Sequence, residues 1–231
     1  MAPYKDGLRP RKKNHHMREF DIINDFVQRE IVPRYDQFDA GHGRDHALTV
    51  ISQAISLARF YPEVDRCILL VAAAYHDLGL AYGREQHHTH SARIVREDSR
   101  LRQWFSQTEI NVIADAAEDH RASSSHEPRT IYGRIVAEAD RIIDGETIVR
   151  RALQYGIKHE PGLDREGQYS RLMEHMHEKY DYGGYLKLWI PQGDNARRLE
   201  EFRQTLADET AFRRLFDTIY DSLFTHKSVS Q

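Results

Sequence analysis

The stretch CILLVAAAYHDLGL, residues 67–80, decides how the chain folds and poses its main chemical question. From Ile68 to Ala74 no side chain is polar, so a helix here is apolar on most sides, as the central helix of an all-helical core would be. The expected helix runs from about Val64 to Asp77, and Gly79 offers a natural C-terminal stop. It finishes in His76 and Asp77, side by side. A carboxylate in a core is costly unless it is paired, and a bound cation would supply the partner.

Helical period extends to both sides of this segment. ALTVISQAISLARF, residues 47–60, places Leu48, Ile51, Ile55 and Ala58 on one stripe, widened by Val50, Ala54 and Leu57. A third helix is expected from about Gln86 to Glu97. Ser106 and Glu109 have capping-box spacing, and the helix they open carries Ile110, Val112, Ile113, Ala116 and Ala117 before it reaches His120. RASSSHEP, residues 121–128, reads as a loop, and a fifth helix leads from about Ile131 through Val136 and Ala139 to Asp140. Further helices are expected near 145–158, 165–180, 195–206 and 209–224, with PGLDREG and IPQGDN as turns between them. No strand-like alternation persists. The fold class is therefore all-α, a bundle of about eight to ten helices. A flexible basic N-terminus over 1–20 precedes a single domain over 21–226.

Composition limits the chemistry. Cys67 is the only cysteine among 231 residues, so no intrachain disulfide forms and any metal is held mainly by nitrogen and oxygen. Against 36 acidic residues stand 33 basic ones, a formal charge of -3 that argues against general affinity for nucleic acid or anionic membrane. Arg9, Arg11, Lys12 and Lys13 read as a solvated terminus. The N-terminus lacks the apolar stretch of a secretory signal, and no segment approaches 18 consecutive apolar residues, so the expected setting is soluble and cytoplasmic.

Histidine is the anomaly. There are fourteen, and eight lie between positions 42 and 126, beside acidic residues at helix ends. His46 starts a helix, His76 and Asp77 end one, His87 and His90 lie early in a third, His120 ends a fourth and Asp140 comes late in a fifth. Imidazole and carboxylate donors in that arrangement suit iron, manganese, zinc, cobalt or nickel.

The ordered set GRDH at 43–46, YHD at 75–77, HHTHSA at 87–92, EDH at 118–120 and EAD at 138–140 resembles the HD-domain superfamily of metal-dependent phosphohydrolases. The likeness covers roughly residues 40 to 145. HMHEKY at 175–180, with the Ala-Arg-Arg-Leu helix after it, is similar to the tail of small stand-alone bacterial members, so residues 146–226 would be C-terminal helices of the same domain. The resemblance assigns His46, His76, Asp77 and Asp140 to one metal and places His87 and His120 where two-metal members hold a second, with Asp77 as the natural bridge. His87 is preferred to His88 and His90 for its spacing to Ser91 and Ala92. One or two divalent ions are implied, drawn from Mn, Fe, Mg, Zn, Co and Ni. Some nucleotide-cleaving members carry a glutamate four residues after the HD histidine, and here that position is Leu80.

An anionic substrate over metal needs cationic donors. Arg44, Arg121, Arg129, His175 and Lys179 are the candidates, and His126 in the serine loop is an alternative metal ligand or a further substrate contact. Arg121 adjoins His120, and Lys179 lies in the tail motif; with Asp77 these two form the expected catalytic group. His15, His16, His159 and His226 read as surface histidines, and Tyr75 as a core residue. The function implied is hydrolysis of a phosphomonoester or phosphoanhydride of a nucleotide or other small phosphorylated metabolite. The alternatives are a di-iron oxygenase of the same superfamily and a non-catalytic, metal-stabilised binding module.

Overall fold

The structure is a computed structural model that describes residues 13–39, 41–124 and 126–225, and within these the side chains from Glu19 to Phe224. The basic cluster Arg9, Arg11, Lys12 and Lys13, together with His15, His16 and His226, falls outside the described side chains. Ten α-helices and no strand occur among the described residues, joined by short 3₁₀ turns, as an all-α HD-type bundle requires. The chain divides into two compact units, residues 1–140 and 141–231.

In the first unit α1 (Lys13–Phe26) passes through a π turn (Val27–Ile31) into a 3₁₀ turn (Val32–Gln37). Then follow α2 (Arg44–Leu57), α3 (Arg66–Tyr75), α4 (His87–Glu97), α5 (Gln107–Glu118) and α6 (Ile131–Asp140). The Asp65 carboxylate accepts from the Cys67 amide to start α3, and every residue from Cys67 to Tyr75 is buried. α3 is thus the central helix, packed against α1, α2, α5 and α6. The Ser106–Glu109 capping box is formed in both directions at the start of α5.

Two details differ from the sequence reading. The buried stripe of α2 is His46, Ala47, Val50, Ile51 and Ala54, while Leu48 and Ile55 are half-buried. α3 ends at Tyr75, before the HD pair, and Gly79 lies within a further 3₁₀ turn, Leu78–Tyr82. Its value there is space. A Cβ on Gly79 would overlap the His87 carbonyl and come within 2.6 Å of the Ser91 amide, so only glycine lets the start of α4 approach this turn.

The second unit holds α7 (Gly145–His159), α8 (Arg165–Tyr180), α9 (Asp194–Ala207) and α10 (Glu209–Thr225). Asp144 and Asp164 cap α7 and α8 by accepting from the Thr147 and Gly167 amides. Ile148, Val149, Leu153, Leu172, Met176, Phe202, Phe212 and Phe216 form its core. No helix of the described residues is long and apolar enough to cross a membrane.

Candidate metal centre

The geometry is built on the turn after α3. The Tyr35 hydroxyl donates to the Ala74 carbonyl at 2.9 Å and accepts from the Asp77 amide at 3.3 Å. It ties off one helix-end carbonyl and one amide that would otherwise be buried without partners. The Tyr35 ring also stacks on His76, with centroids 6.2 Å apart. The HD pair therefore leaves the helix in a single orientation.

Three histidines are held by one device. His76 Nδ1 meets the Ala73 carbonyl at 2.8 Å, His87 Nδ1 the Arg84 carbonyl at 2.7 Å, and His120 Nδ1 the Ala117 carbonyl at 2.7 Å. A carbonyl only accepts, so each Nδ1 carries a hydrogen and each neutral ring presents an Nε2 lone pair. Those Nε2 atoms converge on Asp77. Oδ2 lies 3.3 Å from His76 Nε2 and 3.6 Å from His46 Nε2; Oδ1 lies 3.3 Å from His120 Nε2 and 3.4 Å from His87 Nε2. Each oxygen of one carboxylate thus faces its own pair of imidazoles. Asp140 joins the first pair, with Oδ1 3.2 Å from His46 Nε2 and 3.8 Å from His76 Nε2.

Two groups of donor atoms, His46/His76/Asp77 and Asp77/His87/His120, are each compact enough to hold one ion. The donors also fit one chemically. His87 and His120 bring their Nε2 atoms to 3.1 Å, and His46 and His76 theirs to 3.3 Å. Two lone pairs at that separation repel unless a proton or a metal cation lies between them. Without metal, protons take that part. Burial lowers the pKa of His46, but Asp140 and Asp77 outweigh it and push it up to about 9. Burial likewise disfavours a charged His120, and Asp77 raises it nonetheless. His87 goes the other way, held down to about 4 by burial and by neighbouring His120. Burial alone would raise Asp77, yet His76, His120 and His46 keep it well below the usual carboxylate range. Asp140 is held low against its own burial by His46, His76 and His120. Four nitrogen donors with the buried Asp77 and the half-buried Asp140, both carboxylates held low, suit a divalent ion.

The remaining sequence candidates are distributed differently. Arg44 pairs with Asp36 through two bonds, at 2.9 and 2.5 Å. Arg129 is engaged by Asp119, Glu118 and Asp115, with Nη2 2.7 Å from Asp119 Oδ1. Its charge is locally compensated, and it anchors the loop after α5. Arg121 donates to the Glu85 carbonyl at 2.6 Å, and His126 is exposed. His88 and His90 stand outside both donor groups, and His90 packs beside Tyr82. In the second unit His175 is half-buried on α8, and the Lys179 ammonium sits 5.1 Å from the Tyr180 ring. His159 is exposed beside Tyr155, and Tyr75 is buried with its hydroxyl donating to Asp98 at 2.7 Å. The roles of Tyr35, Gly79 and Asp119 escape the sequence reading, which takes Gly79 for a helix stop. Tyr35 lies in a segment of π and 3₁₀ turns without helical period, and Asp119 is hidden inside the EDH triplet.

Residues 43–145 match the model of the HD domain, a segment that contains all five residues of the two donor groups and Asp140. No curated protein and no solved structure gives a significant match. An HD domain points to metal-dependent hydrolysis in general, in agreement with the His/Asp clusters. The order of the ligand motifs, the helical frame that carries them and the family match agree that residues 43–145 are similar to the HD domain.

Proposed function

We propose that the chain is a metal-dependent phosphohydrolase that cleaves a phosphomonoester or phosphoanhydride of a nucleotide or other small phosphorylated metabolite in the cytoplasm. The observation that carries this reading is the division of one carboxylate between two histidine pairs: Asp77 Oδ2 with His46 and His76, Oδ1 with His87 and His120. His46, His76, Asp77 and Asp140 would hold one divalent ion and Asp77, His87 and His120 a second. A histidine-rich set favours Mn, Fe, Co, Ni or Zn over Mg, which prefers oxygen ligands. Such ions supply Lewis acidity at a phosphoryl oxygen and lower the pKa of water.

The chain's own residues do the rest. Nδ1 bonds to backbone carbonyls keep three imidazoles in one tautomer and aim their Nε2 atoms inward. Arg121, whose guanidinium among the described residues bonds a neutral carbonyl and no carboxylate, keeps its charge for an anionic substrate. Lys179, His175 and His126 are proposed as further contacts, with Asp77, Arg121 and Lys179 as the catalytic group. No carboxylate at position 80 serves as base, since Leu80 stands there.

The test is elemental analysis of purified protein together with turnover of a panel of nucleotides and sugar phosphates under Mn, Co, Ni, Zn, Fe and Mg. Bound transition metal with phosphate release from at least one compound is expected. Tight metal binding with no release from any compound would favour the binding-module reading. Oxygen uptake by iron-loaded protein on a polyol or phosphonate would favour the oxygenase.

A further inference from the structure

The arginines near the donor groups are not equivalent. Arg44 is neutralised by Asp36 and Arg129 by Asp119, Glu118 and Asp115. Arg121 keeps its full charge, because its bond at 2.6 Å goes to the Glu85 carbonyl. Arg84, absent from the motif reading, is exposed, and its guanidinium makes no hydrogen bond or ion pair among the described residues. The Asp39 carboxylate, close enough to feel its field, is already bonded to His42 at 3.0 Å and to the Gly41 amide at 2.8 Å.

Both residues adjoin the same histidine pair in the backbone frame. The Arg84 carbonyl accepts from His87 Nδ1, and Arg121 follows His120 in the chain. The Arg121 guanidinium reaches back to the Glu85 carbonyl, one residue after Arg84. Gly83, at φ 105°, lets the chain leave the preceding 3₁₀ turn in a direction other residues rarely adopt, and Arg84 follows from it.

We infer that Arg84 and Arg121 grip the second phosphate of a substrate that carries a condensed phosphate, such as a nucleoside di- or triphosphate. The inference rests on the phosphohydrolase reading. Two carboxylates and two divalent ions leave the donor groups with a charge of about +2, which a phosphomonoester dianion of about -2 already balances. Two further cations beside them call for further negative charge, and the nearest source is a phosphate joined to the first. Guanidinium forks suit its oxygens. Arg84 is thus a residue that selects the substrate class.

Calorimetric titration of metal-loaded protein with tripolyphosphate and with inorganic phosphate tests this, with free metal held constant by a metal buffer. Wild type is expected to bind tripolyphosphate at least ~10-fold tighter than phosphate, and Arg84→Gln and Arg121→Gln each to lose most of that preference with metal content unchanged. Arg44→Gln should retain it. Equal affinity of wild type for both anions, or an intact preference in Arg84→Gln, would overturn the proposal. Arg84 is exposed and unbonded, so Arg84→Gln carries the test even where Arg121→Gln fails to fold. Turnover is scored separately: a preference without hydrolysis of any compound would remove the hydrolase reading and leave the anion grip, whereas hydrolysis without the preference would do the reverse.

Discussion

The two donor groups share a carboxylate but are supported in unlike ways. The His46/His76/Asp140 side is set in the core: His46 on α2 and His76 directly after α3 have side chains 5 % and 0 % exposed. The His87/His120 side depends on the first residue of α4, and the His87 side chain is 14 % exposed. The first group has four protein donors with Asp140, the second three. One site is thus rigid and richly liganded, and the other hangs on how closely α4 approaches Gly79. A tight ion and a weaker, exchangeable one are expected from that difference.

The sharpest way to break the comparison is to remove what the two sides share. Asp77→Ala should lose both ions and reduce turnover to background, while circular dichroism stays helical because the core from Ile68 to Ala74 is untouched. Full metal content or turnover in this variant would refute the bridging role.

Next in size comes Gly79→Ala. The added Cβ would collide with the His87 carbonyl and the Ser91 amide, both backbone, so α4 must move rather than a side chain. Overpacking of this kind costs about 1–3 kcal/mol or more. Denaturant melts should report that loss, and metal analysis should find about one ion fewer than in the wild type. Retention of both ions would show that the second site does not depend on this approach.

How much of this was legible in the sequence follows from the same contrast. The helices carrying His46, His76, His120 and Asp140 have strong apolar period, and their ligands fall at helix ends, so both order and elements were readable. The support was not. Tyr35 acts over a separation of 39 and 42 residues from within irregular turns, where periodicity says nothing. Gly79 reads as a helix stop because sequence carries no record of which backbone will approach it. The compensation of Arg44 and Arg129 depends on Asp36 and on Asp119, 8 and 10 residues away, among 36 acidic residues with equal claim beforehand.

A gentler perturbation resolves the two sides in order. Metal removal by a graded chelator series should be biphasic, the His87 side emptying first, and His87→Ala should abolish the weaker phase while leaving the tighter one. His46→Ala should instead weaken the tight phase. A single phase in wild type, or loss of the tight phase in His87→Ala, would reverse the ranking of the two groups.

The smallest expected effect comes from Tyr35→Phe, which keeps the ring against His76 and removes only the hydroxyl. That hydroxyl holds the Asp77 amide and the Ala74 carbonyl, both buried where water does not replace it. An orphaned buried amide costs about 1–3 kcal/mol. The HD turn should therefore loosen, and metal affinity should fall by roughly 10-fold, the lower end for groups that orient a ligand rather than serve as one. Because Tyr35 acts on Asp77, which faces both pairs, the two chelation phases should weaken together with stoichiometry unchanged, unlike His87→Ala. Weakening of one phase alone would mean that Tyr35 supports a single side, through its stack on His76, and not the shared carboxylate.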